Sequence, residues 1–244
     1  LTLAWIAYAD QHDGRLAGGR AFTKARNERT QSVLEGWMGI AFHFGQRRSD
    51  AMEDPDKGSL WPYTRNVDIY HCASGRPEHF ATYQVVTSAN GASAEGTVVS
   101  YDPTAELTVV GKRVGRTTLY LTRLTDIISP GPGGRAVFID GGQTTSGFTV
   151  DYLYPKWHHT SPPPIHHSDG TTLSFADGHA EYWKWKGRET LNIPRIEIPG
   201  PSDSLIENLA GPGGVRADYE PRTEDALHDL HRIQRVIWGR IGYI

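Results

Sequence analysis

No stretch of this chain limits its fold more than "TTLSFADGHAEYWKW", running from Thr171 to Trp185. Thr171, Leu173 and Phe175 alternate before Asp177-Gly178, and Ala180, Tyr182 and two tryptophans follow it. Alternation on both sides of an Asp-Gly pair predicts an antiparallel hairpin, because the pair supplies the backbone conformations a tight turn needs. Within the second strand, Trp183 and Trp185 share one face and Lys184 and Lys186 the other.

The rest of the chain reads as sheet interrupted by loops. Its 244 residues include 27 glycines and 15 prolines, which point to many turns around a β-rich core and to one domain over 1–244. "FATYQVVTSANG", "RTTLYLTRL" and "RAVFIDGG" are rich in β-branched and aromatic residues, and a short strand is expected around Ile69 and Tyr70. "SDAMEDPDKG" reads as a polar loop, and "RTQSVLEGWMGIAFHF" fits helix and strand alike. "ISPGPGG" at 128–134, "SPPPIHH" and the "GPGG" at 211–214 are connections and turns. Two helices frame the sheet. Leu1, Ala4, Trp5 and Tyr8 keep helical spacing and stop at Asp13-Gly14, which predicts a helix ending near residue 12. Leu227, Leu230, Ile233, Val236 and Ile237 predict a C-terminal helix over 222–240, started at Thr223.

A formal charge of −3 and scattered Lys and Arg residues give no drive toward nucleic acid or anionic lipid. No apolar run approaches the ~20 residues that cross a bilayer, so no membrane span is expected. Cys72 is the only cysteine. It has no partner for a disulfide within these residues and reads as a small buried hydrophobe without an activating neighbour.

Several side chains are candidates for chemistry. His166, His167, Asp169, Asp177 and His179 resemble a ligand set, but their spacing matches no zinc pattern. If a cation binds here, oxygen donors favour calcium. The blander reading makes Asp177 and Gly178 turn residues, with His167 packed on the hairpin. Asp10 and Asp13 form a weaker acidic pair. Asp140 in "FIDGG" ends a buried strand, a position that carries catalytic carboxylates in other folds. Trp183 and Trp185 offer a stacking surface for glycan, against which stands simple burial in the core.

The spacing His167, nine residues, Asp177, Gly178 resembles the H-x9-D-G element of prepilin-like proteins, the prepilin-type processing-associated relatives of pseudopilins common in planctomycetes. "DGTTLSFADGHAEYWKWKGRET" is similar to the family's version almost throughout. "LTLAWIAYADQHDGRL", "GSLWPYTRNVDIYHC", "RLTDIISPGPGGRAVFIDGG" and "EDALHDLHRIQRVIW" fit further family blocks in the same order. The resemblance implies an α+β, type IV pilin-like fold, in which the second half of a long N-terminal helix packs on an antiparallel sheet. It also implies export, an extracellular or cell-surface location, and a non-enzymatic subunit of a filament, tube or pseudopilus, joined to copies of itself or to other pseudopilins. His167, Asp177, Gly178 and His179, with Asp140 nearby, would then organise the sheet; Asp140, Asp177 and His167 would hold calcium if the subunit binds it. Relatives carry a cysteine just upstream of the block that begins here at Leu1, which implies a bridge from it to Cys72. The prepilin cleavage motif and hydrophobic half-helix are missing, so a processed form or a fragment is expected. Two rival functions remain: a glycan-binding module built on Trp183 and Trp185, and a metal-dependent hydrolase built on His166, His167, Asp177 and His179.

Overall fold

The computed structural model describes residues 1–22, 24–26, 33–42, 48–75, 77, 79–91, 98–101, 107–144, 147–158, 160–194 and 218–244. Helix α1 (Thr2–Gln11) leads to strands β1 (Gly18–Ala21), β2 (Lys24–Arg26) and β3 (Val33–Met38), then to short helices α2 (Arg48–Glu53) and α3 (Trp61–Thr64). Strands β4 (Tyr83–Val85), β5 (Val98–Tyr101), β6 (Leu107–Val110), β7 (Arg113–Val114), β8 (Thr117–Thr118) and β9 (Ala136–Asp140) follow. The hairpin β10 (Gly170–Phe175) and β11 (Ala180–Lys184) precedes α4 (Arg188–Leu191) and α5 (Glu224–Trp238). The class is mixed α and β, with a C-terminal helix and a central antiparallel sheet of order β11-β10-β9-β4.

Every residue of β9 is buried, so this strand is covered on both faces. Ser174 lies opposite Phe138, and on that face the Thr2 hydroxyl donates to Ser174 Oγ at 2.5 Å, which lays the start of α1 across the sheet. Trp37 meets Phe138 edge-on, with ring centroids 5.2 Å apart. Residues of the opposite parity point the other way. There Trp183, paired with Thr171, lies under the Arg232 guanidinium of α5, 4.0 Å from the ring centroid. The start of α1 and helix α5 therefore contact opposite faces of one sheet.

The hairpin forms where alternation and turn chemistry place it. Phe175 N–H donates to the His179 carbonyl and Gly178 N–H to the Phe175 carbonyl, both at 2.9 Å. Gly178 takes φ +96°, which a side chain would resist. A Cβ there would also come 3.3 Å from Leu3 Cδ2, so the turn rests directly on α1.

Helix α5 is amphipathic and buries Leu230, Ile233 and Ile237, each contributing about 2 kcal/mol in area terms. Polar contacts along its length help fix its position. Asp229, fully buried, accepts the N–H groups of Lys186 and Gly187 just past β11. Glu189 of α4 accepts from the backbone of Arg222 and Thr223, the Thr223 hydroxyl and Tyr219. Desolvation opposes ionisation of Glu189, but these four donors outweigh it and hold the carboxyl down at about 2. At the other end Arg135 donates to the Ile237 carbonyl at 2.9 Å, and burial pushes its guanidinium down to about 10.

Three sequence expectations change. Residues around Ile69 form a 3-10 turn, Val67–Tyr70, because the Asn66 side chain caps it by accepting Asp68 N–H at 2.9 Å. Val67 and Tyr70, three apart, are buried, whereas Ile69 is exposed. The polar stretch after Arg48 begins as helix α2, with Ala51 fully buried. In "RTTLYLTRL" only Thr117–Thr118 is strand, since the carbonyls of Thr118 and Leu119 are taken by the Arg135 guanidinium. The "GPGG" at 211–214 lies outside the described residues.

Replacing Asp229 by Ala leaves the Lys186 and Gly187 N–H groups without their acceptor. Urea unfolding should show a loss on the order of 3 kcal/mol with an unchanged slope; a loss below about 0.5 kcal/mol would mean that Asp229 does not fix the helix.

Candidate functional site

The loop before β10 is held in a shape that aims His167 inward. Trp185 Nε1–H donates to the Pro164 carbonyl at 2.5 Å, pinning the proline-rich segment. Ser168 and Asp169 both take left-handed backbone angles, φ +48° and +67°. Such angles cost energy in non-glycine residues. They are held from β11 and the residue after it: the Tyr182 hydroxyl donates to the carbonyls of His167 and Ser168, and Trp185 N–H donates to that of Asp169.

His167 meets two side chains from distant parts of the chain. Its Nε2 lies 2.8 Å from Asp140 Oδ2 and 3.7 Å from Cys72 Sγ, and one donor atom from each residue lies within 4.8 Å of the other two. Asp140 ends β9 and is 1% exposed, while His167 and Cys72 are half-buried. The other carboxylate oxygen of Asp140 accepts Gly142 N–H at 2.9 Å. Cys72 N–H donates to the Thr82 hydroxyl, and Ser74 Oγ lies 3.2 Å from the sulfur and 3.3 Å from His167 Nδ1. Burial pushes the adjacent Tyr83 hydroxyl up to about 12, with Asp140 and Cys72 adding to the shift.

One nitrogen, Nε2, faces both the sulfur and the carboxylate. Three side chains from three distant segments of the chain thus meet at one point.

The sequence-predicted residues divide into two places. His167 and Asp140 stand at one end of β10. Asp177, Gly178 and His179 stand at the other, about 20 Å away along the strand, so Asp177 cannot share an ion with Asp140 and His167. The pair left behind does not suit calcium either, which takes six to eight oxygens; here the near donors are one carboxylate, an imidazole and a thiol. His166 is exposed, with Gly142 against its ring, and does not join His167 in a ligand set. Asp10 is on the exposed side of α1, and Asp13 forms its closing turn. Asp169 shapes the loop that aims His167. Trp183 and Trp185 are 7% and 2% exposed, so neither presents a stacking face for glycan. Their burial alternates with exposed Lys184 and Lys186, as the spacing requires.

Sequence reasoning missed Cys72 as a neighbour of His167. The two are separated by 95 positions, and no local pattern links them.

At the turn, Asp177 accepts from His179 Nδ1–H at 2.5 Å and from His179 N–H at 3.2 Å. The His179 ring stacks on Phe175, with centroids 4.4 Å apart, and its other nitrogen faces Glu181. Compared with family models, with curated proteins and with solved structures, the chain matches none.

The hydrogen bond to Asp177 raises the His179 pKa and lowers that of Asp177. Charged His179 therefore stabilises the turn fully below the ordinary imidazole value of about 6.5, and this contribution is lost as pH rises through the raised value. Ionised Asp177 contributes in the opposite sense, fading as pH falls below the ordinary carboxyl value. An NMR titration should find His179 above the ordinary value and moving back down in Asp177→Asn; an unmoved midpoint would refute the pairing.

Proposed function

We propose that this chain is a pilin-like structural subunit, exported to the cell surface, that associates with copies of itself or with other pilin-like proteins. One observation carries the reading: α1 lies across an antiparallel sheet, and the Asp177-Gly178 turn of the H-x9-D-G element sits against Leu3 and Ile6. Helix on antiparallel sheet is the arrangement expected of a type IV pilin-like fold, and the contact gives the second half of the motif a mechanical role. No helix among the described residues is long and apolar enough to cross a membrane.

The surface at the start of α1 supports association. Leu3 is 72% exposed and Ile69 is 38% exposed. Together with Leu1, Tyr83 and Phe138 they border a groove of about 330 Å³. Apolar side chains grouped at a groove form surface that a second copy would cover. A repeated contact of this kind that does not close on itself builds a fibre or tube.

The rival readings have less to stand on. A glycan platform requires exposed rings, and the tryptophans are buried. A hydrolase built on His166, His167, Asp177 and His179 requires side chains that converge, and these are split between the two ends of β10.

Purified protein viewed by negative-stain electron microscopy across a concentration series should form ordered filaments or tubes, and Leu3→Asp should raise the concentration at which they appear. Monodisperse single particles at every concentration, with sedimentation at the monomer mass, would overturn the assembly reading.

A further inference from the structure

Apart from any role in assembly, the Cys72, Asp140 and His167 cluster has the makings of a metal site of a different kind from the calcium set of Asp140, Asp177 and His167 that the family resemblance allows. We propose that these three side chains bind a single zinc-class cation, with Cys72 as thiolate, His167 through Nε2 and Asp140 through Oδ2.

The donor set selects the metal. Thiolate and imidazole are the ligands of borderline-soft cations, and one carboxylate completes a three-ligand set of the kind zinc accepts with a fourth position left for solvent. The geometry is near what a tetrahedral ion needs. With Zn–S of about 2.3 Å and Zn–N or Zn–O of about 2.0 Å, the sulfur-to-nitrogen edge is ~3.5 Å and the nitrogen-to-oxygen edge ~3.3 Å. The cluster has 3.7 Å and 2.8 Å for these two edges. The imidazole and carboxylate therefore separate by about half an ångström and exchange their hydrogen bond for a shared ion. As the sulfur–metal bond forms, the thiol proton passes to solvent, and the imidazole binds in its neutral form with its remaining proton on Nδ1.

Partners outside the donor set hold each ligand in place, as they do in established metal sites. Ser74 Oγ stands 3.3 Å from His167 Nδ1, the nitrogen that would remain free of metal. Gly142 N–H fixes Asp140 Oδ1, leaving Oδ2 for the ion. Thr82 takes the Cys72 N–H. Gly142 takes φ +71°, the left-handed region that glycine tolerates, so the chain turns tightly just behind the aspartate. Such an ion would tie the segment after the 3-10 turn, the end of β9 and the loop before β10 into one joint.

The test is titration of the reduced full chain with Zn(II), with Co(II) as a spectroscopic probe and Ca(II) as the contrast. The expected result is one equivalent of Zn(II) bound, a melting temperature that climbs with free Zn(II), and a thiolate-to-cobalt charge-transfer band with tetrahedral visible absorption. Ca(II) should give no rise in melting temperature. Cys72→Ser should abolish the charge-transfer band and weaken Zn(II) binding by more than about a hundredfold, and Ser74→Ala should weaken it by about tenfold. Circular dichroism checks that both variants fold, and His167→Gln provides a second ligand variant if Cys72→Ser does not. Zn(II) binding that survives both ligand substitutions, or the absence of stoichiometric binding, would overturn the proposal. Neither result bears on filament formation, so a failed metal site and a failed assembly reading are separable.

Discussion

Burial of β9 on both faces is the constraint from which the rest of the architecture follows. A strand whose side chains are all covered needs a layer on each side: Trp37 of β3 packs on Phe138, and α5 lies against the strand as well. The same strand lies between β10 and β4, which leaves its last residue, Asp140, inside the molecule with a charge to satisfy. A buried carboxylate is stable only where donors or a cation meet it. Gly142 N–H and His167 are those partners in the structure. The loop before β10 and the segment around Cys72 therefore gather where β9 ends.

The tryptophans that suggested a ligand surface turn out to be structural on both sides of this arrangement. Trp183 receives Arg232 and so joins α5 to the sheet, while Trp185 holds Pro164 and so sets the path of the loop that carries His167. Lys184 and Lys186 remain exposed because the strand alternates. The aromatic and basic pattern is explained by packing alone.

Where signals are local, the sequence could be read. Turn chemistry and alternation placed the hairpin, and a 3.6-residue period placed the helix that ends at Trp238. Reading failed where a side chain competes with the backbone pattern, as when Asn66 turns an apparent strand at Ile69 and Tyr70 into a 3-10 turn, or when Arg135 takes the carbonyls that a longer β8 would have paired. The site was half legible. Asp140 and His167 stood out by type and position, but grouping them with Asp177 treated nearness in sequence as nearness in space. Cys72 joins them only through the tertiary fold.

On this view the H-x9-D-G element consists of two devices at opposite ends of one strand: a turn seated on α1, and a histidine that closes a partly buried cluster. A pair of double-mutant cycles on metal-free protein tests that division most directly, combining His167→Ala with Asp140→Asn in one and with Asp177→Asn in the other. Independent ends predict a coupling of about 1–3 kcal/mol between His167 and Asp140 and less than about 0.5 kcal/mol between His167 and Asp177. Equal coupling in the two cycles, or a stronger link to Asp177, would contradict it and make the motif a single unit.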